Sequence, residues 1–140
     1  MKLPIVVDTC IFSYDFNHHT LAVSYARYLK TYECLLSFQS IGELYYGAIR
    51  RNWSNHKKEQ LRKTITENYT IIHSDDSIIV WFAFVMTARQ HQPISIQDAW
   101  IAATALAFGC PLLTHNARDF ENIPGLEIIT EYTTEGNLQH

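Results

Sequence analysis

The sequence predicts an α/β domain, a parallel sheet with helices on both faces. Three observations carry that expectation. Residues 3–7 form a continuous apolar run rich in β-branched side chains, the pattern of a strand buried on both faces. Short strand-like runs then alternate with segments whose apolar residues recur at helical spacing. Finally, 140 residues, 47% hydrophobic and with few Gly and Pro, suit one domain that buries its own core.

The elements follow in order. Leu21, Tyr25, Tyr28 and Leu29 predict a helix over residues 20–30, and residues 34–38 a short strand. Ile41, Leu44, Tyr45, Ala48 and Ile49 mark the inner face of the next helix. Residues 54–67 continue as a polar, highly charged helix, and 69–72 as a strand. Residues 77–89 predict a strongly apolar helix with Asp75 and Asp76 near its start, and Pro93 breaks it. An alanine-rich helix over 96–108 ends at Gly109, and 111–114 and 126–129 are two more strands. Trp81, Phe82, Phe84 and Trp100 sit at helical spacing and read as core. Residues 131–140 carry no periodicity and are expected to be a loose tail, so the domain spans 1–130.

The formal net charge of −3 argues against a protein that coats nucleic acid by bulk attraction. The basic residues are nevertheless uneven: Arg50, Arg51, Lys57, Lys58, Arg62 and Lys63 fall in one stretch. That stretch reads either as a solvated helix face or as a local phosphate-binding surface. Cys10, Cys34 and Cys110 show no CxxC spacing and resemble small apolar residues of a reducing compartment, so a cytoplasmic location is expected. The first apolar run is too short for a signal peptide or a membrane span, and no membrane association is expected.

The chemistry-bearing residues stand where strands hand over to helices or loops. Asp8 ends the first strand, Glu43 and Asp98 open helices, and Asn116 and Asp119 follow the strand at 111–114. In an open parallel sheet such positions converge on one crevice, and carboxylates gathered there repel unless a divalent cation neutralises them. Each position has a structural alternative. Asp8 suits a helix N-cap, with Thr9 adding a hydroxyl at the same turn. Ser40-Ile41-Gly42-Glu43 and Ser95-Ile96-Gln97-Asp98 both match the capping box, in which the acid reaches back to the cap. Asp119 suits a cap or a surface salt bridge. Asn116 can ligate a hard cation but brings no charge. His18, His19 and His115 lack zinc-type spacing and read as exposed loop residues, and Tyr45, Tyr46 and Trp53 as packing residues.

Over residues 3–130 the chain resembles the PIN-domain ribonucleases, especially the toxin members of the VapBC toxin–antitoxin systems. The resemblance lies in the opening strand with Asp8-Thr9, the SIGELYYG segment with Glu43 and Gly47, the PISIQDAWIAATAL segment with Asp98, and the LLTHNARDF segment with Asn116, Asp119 and Phe120. It implies about five parallel strands in a single PIN-like domain and Mg²⁺ or Mn²⁺ held by Asp8, Glu43 and Asp98. Asn116 stands at the fourth acidic position with Asp119 as auxiliary, and Cys10 where Asn or Ser is frequent. The resemblance further implies endonucleolytic RNA cleavage. In the metal-assisted hydrolysis expected here, Thr9 orients a bound water and the basic stretch holds RNA phosphates beside the site. It also implies a homodimer, a VapB-like antitoxin that occupies the acidic groove, and a higher toxin–antitoxin assembly. Two alternatives stand beside it: a catalytically weak PIN-fold scaffold that binds RNA or protein, and a haloacid-dehalogenase-type phosphatase using Asp8 as nucleophile. Cys10 occupies the place where that phosphatase family wants a second Asp.

Overall fold

Ile5, Val6 and Val7 are completely buried, so the first strand is covered on both faces and can only be central. The computed structural model describes residues 1–131 and places it there. The chain runs β1 (Pro4–Val7), α1 (Thr9–Phe16), α2 (Ala22–Thr31), β2 (Glu33–Ser37), α3 (Phe38–Arg50) and α4 (Asn55–Asn68). It continues through β3 (Thr70–Ile72), α5 (Asp76–Ala88), α6 (Ile96–Phe108), β4 (Leu112–Leu113), a 3-10 turn (Ala117–Phe120) and β5 (Ile128–Ile129). Among the described residues one five-stranded sheet has the order β3-β2-β1-β4-β5, with every pairing parallel.

The register divides the apolar residues between two faces. Val6, Leu35 and Leu112 face α5 and α6, packing with Val85, Ala99, Ile101, Ala102 and Ala105. Small alanines let α6 lie close to the sheet. Ile5, Val7, Cys34 and Leu113 face the other way, against Ile11 of α1 and Tyr25 of α2. Leu36 shares its cluster with Phe12, Ala48 of α3, and Leu61 and Ile65 of α4. The order also fixes where a ligand can sit. From β1 the chain winds outward through β2 to β3, then returns to β4 on the opposite side of β1. This topological switch between β1 and β4 opens a crevice at the carboxyl ends of those two strands.

Several sequence expectations need correction. Residues 9–16, given no element of their own although Asp8 suits an N-cap, form α1: Asp8 caps it, and burial of Ile11 and Phe12 overrides the weak helix preference of its β-branched and aromatic residues. Tyr45 and Ile49, expected on the inner face of α3, are exposed, because the sheet and α4 cover only the Ile41, Leu44 and Ala48 side. Phe84, expected in the core, is also exposed, as are Ile79 and Val80 on the same outer side of α5. Glu131, assigned to a loose tail, is held: its backbone exchanges hydrogen bonds with the Tyr25 hydroxyl, and its carboxylate meets Tyr28 and, at 2.8 Å, Arg27. Residues 132–140 of that expected tail lie outside the described residues.

Candidate active site

Asp8 leaves β1 in an extended conformation and caps α1, with Oδ1 accepting from the Thr9 amide at 2.8 Å. Its Oδ2 accepts from Thr114 Oγ1 at 2.7 Å and from the Cys10 thiol at 3.4 Å. The capping role and the site role therefore coexist, one oxygen to each. Thr114 follows β4, so this contact closes the switch point from its other side. Burial raises the Asp8 pKa above the ordinary carboxylate value, the hydrogen bonds oppose that, and the charge of Asp119 adds to it. Burial and the Asp8 charge push the Cys10 thiol up to about 12, so it stays protonated and donates.

Glu43 is not part of a capping box. Helix α3 starts earlier than its sequence suggests, because Ser37 takes the N-cap and accepts from the Gln39 amide at 3.1 Å. Ser40 is consequently inside the helix and fully buried, with Oγ 2.8 Å from Thr9 Oγ1. Glu43 falls in the second turn, where Thr9 Oγ1 donates to its Oε1 at 2.6 Å. Its pKa is raised by burial and by the Asp8 charge, against hydrogen bonds from Thr9 and Gln39.

Asp98 has the cap its box predicts: Ser95 caps α6 and accepts from the Asp98 amide at 3.0 Å. Its carboxyl is pushed up to about 6 by burial and by the charges of Asp8, Asp119 and Glu43, with the Ser95 hydrogen bond opposing. Asp8 and Asp98 therefore lie within electrostatic reach of each other and of both Glu43 and Asp119. Asn116 and Asp119 are exposed on the 3-10 segment, where the Asn116 amide is anchored on Thr114 Oγ1 at 2.9 Å.

Two contributors escape the sequence reading and a third has another role than expected. Thr114, marked only by its place at the end of an apolar run, holds Asp8, and Ser40, expected as a helix cap, sits against the Thr9 hydroxyl that holds Glu43. Arg89 is buried and donates to the carbonyls of Gln92, Pro93, Asp119 and Glu121, pinning the Asp119 segment to the end of α5. Nothing in its sequence context marks it. His18 and His19 are exposed as expected, but His115 is not: its Nδ1 lies 2.6 Å from the buried Tyr25 hydroxyl.

The basic stretch divides. Arg62 is engaged with Glu59. Lys57 lies 4.0 Å over the Trp53 ring, which stacks on Phe16, so Trp53 is a packing residue. Lys57 and Lys63 border a cavity of about 640 Å³ shared with Asp15, His18 and Glu67. Arg50 and Arg51 instead line a smaller groove, about 280 Å³, that Thr9 and Glu43 also line. Lys58 borders neither cavity.

The donor chemistry fits a hard divalent cation, because the charged side chains at the crevice's centre are carboxylates, the Cys10 thiol beside them stays protonated, and none of the carboxylates forms an ion pair among the described residues. The oxygens are not gathered into a finished cage: among the described residues no three His, Cys, Asp or Glu side chains are grouped to hold a metal ion. Thr114 and Thr9 keep Asp8 and Glu43 on separate anchors.

Fold and site thus define an α/β protein with a carboxylate-lined crevice at the switch point of a parallel sheet. The PIN domain model matches residues 5–126, and the chain belongs to the PIN domain family. Ribonuclease VapC1 of Haemophilus influenzae strain R2866 is 26% identical over 128 residues, covering 87% of this chain and 93% of that protein. The structure of VapBC2 from Rickettsia felis, bound to a promoter DNA fragment, shares the fold with a TM-score of 0.79 at 21% identity, over 91% of this chain and 98% of that one. A toxin–antitoxin complex from Klebsiella pneumoniae aligns with a TM-score of 0.70 at 25% identity, over 90% and 96%. Family membership displaces the phosphatase alternative. Among the described residues no helix is long and apolar enough to cross a membrane.

Proposed function

We propose that this chain is a divalent-cation-dependent endoribonuclease, the VapC-like toxin of a toxin–antitoxin pair. The observation that carries the reading is the convergence of the partly buried carboxylates Asp8, Glu43 and Asp98, beside Asp119, on one crevice, where burial first and neighbouring negative charge second raise their pKa values. Such an arrangement costs stability when empty and gains it when a cation arrives. Asp8 and Asp98 would be the principal ligands of Mg²⁺ or Mn²⁺, Glu43 a ligand through water, and Asn116 and Asp119 weaker ones. When bound, the cation supplies activation of water and charge neutralisation at a phosphodiester.

The chain's own residues do the rest. Glu43, with its pKa raised, is suited to accept a proton from the attacking water. The Thr9 hydroxyl aims that carboxylate, and Thr114 aims Asp8. Arg50, Arg51, Lys57, Lys58, Arg62 and Lys63 would attract RNA phosphates toward the crevice.

The reading extends to partners. The names of the relatives and of the superposable complexes support a VapB-like antitoxin. The outward apolar side chains Ile79, Val80 and Phe84 of α5 support a homodimer, and a larger toxin–antitoxin assembly can be built from it. The three free cysteines suit the cytoplasm. Expression in a bacterial host tests the reading. Growth arrest relieved by the neighbouring gene's product is expected, and unaffected growth contradicts the toxin role.

A further inference from the structure

Gly47 is one helical turn beyond Glu43 on the same side of α3. A Cβ at Gly47 would meet Arg51 Nη1 at 3.2 Å, so the Arg51 guanidinium is seated across the helix where this glycine has no side chain. Among the described residues it forms no ion pair, although Glu43 lies on the same helix two turns back. Gly47 and Arg51 both line the groove of about 280 Å³ that Thr9 and Glu43 also line, together with Ser13 of α1 and its C-cap Asn17.

We propose that this groove receives the unpaired RNA nucleotide flanking the cleaved bond, with Arg51, seated on Gly47, holding its phosphate. This rests on the ribonuclease reading above and adds a binding subsite to it. Three features favour a nucleotide. The volume is near the lower end of small-ligand cavities, roughly 300 Å³, which suits one splayed nucleotide and excludes a duplex. A planar guanidinium with no ion-pair partner matches a phosphate oxygen pair. The Ser13 hydroxyl and the Asn17 amide oxygen, whose Nδ2 donates to the Ser13 carbonyl at 3.0 Å, offer polar contacts to a base edge beside the aromatic rings of Phe16, Tyr46 and Trp53. Arg62, tied to Glu59, offers no such open fork.

The test measures binding apart from cleavage, using the full chain in EDTA and a fluorescein-labelled single-stranded RNA followed by anisotropy across a salt series. Arg51→Ala is expected to weaken binding about tenfold and to flatten the log–log salt slope by about 0.7, the loss of one single-strand phosphate contact. Gly47→Leu is expected to weaken binding similarly while raising the melting temperature, since Leu is a far better helix former than Gly. A purely structural role for Gly47 predicts the opposite stability change and no salt effect. Gly47→Ala gives a milder version of the same pattern, and Lys30→Ala on α2 leaves binding unchanged. Wild-type affinity and slope in Arg51→Ala overturn the proposal. So does a variant that binds RNA normally but loses a VapB-like antitoxin segment, since the groove would then be a peptide site. If wild type cleaves RNA with Mn²⁺ and Arg51→Ala neither binds nor cleaves it differently, the subsite alone falls. If the oligonucleotide binds through Arg51 but no RNA is cut, the subsite stands and the nuclease reading falls.

Discussion

Thr9 Oγ1 donates to Glu43 Oε1 at 2.6 Å, which ties the helix after β1 to the helix after β2 at the mouth of the crevice. Both residues come from elements that leave the same sheet edge, and the buried Ser40 sits against the same hydroxyl. Thr9→Val keeps the shape and removes the donor. Loss of about 1 kcal/mol of stability is expected, together with an RNA-cleavage rate lower by at least tenfold because Glu43 loses its aim. Thr9→Ser restores both. Thermal melts and initial cleavage rates on the three proteins decide this.

Asp98 makes the cation-free fold pH-dependent. Its folded-state pKa of about 6 lies above its ordinary 3.8, so the native state keeps this proton to higher pH than the unfolded chain. The stability it contributes is present below about pH 4 and is lost as pH rises through 6. In EDTA, Asp98→Asn should therefore melt at a higher temperature than wild type at pH 7.5 and at a similar one at pH 4. The difference corresponds to about 1 kcal/mol once solvent screening of a half-exposed group is allowed for. A variant less stable than wild type at pH 7.5 contradicts the charge strain.

Cation binding should reverse that strain. Millimolar Mg²⁺ or Mn²⁺ is expected to raise the wild-type melting temperature by a few degrees, and to do less in Asp98→Asn. Isothermal titration of the chelated protein provides the independent measure. Equal stabilisation of the two proteins would place the cation elsewhere.

Arg89 fixes the Asp119 segment through four carbonyls. Arg89→Met leaves those acceptors unsatisfied, and a loss of roughly 3 kcal/mol in urea denaturation is expected. Faster amide exchange over residues 117–121 should accompany it.

The outer side of α5 carries the dimer prediction. Val80→Glu should shift sedimentation from dimer to monomer without lowering the melting temperature, because Val80 is 68% exposed in the single chain. An unchanged sedimentation coefficient argues against that interface.

The strand positions of β1, β2 and β3 and the acids Asp8 and Asp98 were legible because burial on both faces and helix capping leave local marks. Helix α1 left only its cap, Asp8, as a mark, since its stability comes from Ile11 and Phe12 packing on partners distant in sequence. The capping-box reading of Glu43 failed for a related reason. Ser37 and Ser40 are both competent caps, and the strand register that ends β2 at Ser37 decides between them. Tyr45, Ile49 and Phe84 have the helical spacing of core residues, yet spacing does not tell a face that meets the sheet from one that meets solvent or a partner. Arg89 was invisible because its partners are backbone carbonyls, which any sequence supplies.

The central claim is that the crevice acids cut RNA with a divalent cation. Purified wild type and Asp98→Asn, each shown folded by circular dichroism, should be given structured RNA with Mn²⁺ or with EDTA and the products resolved on a denaturing gel. Internal cleavage by wild type with Mn²⁺ alone, and none by Asp98→Asn, is the predicted result. Cleavage in EDTA, full activity in Asp98→Asn, or a folded wild type that binds RNA without cutting it would contradict the account.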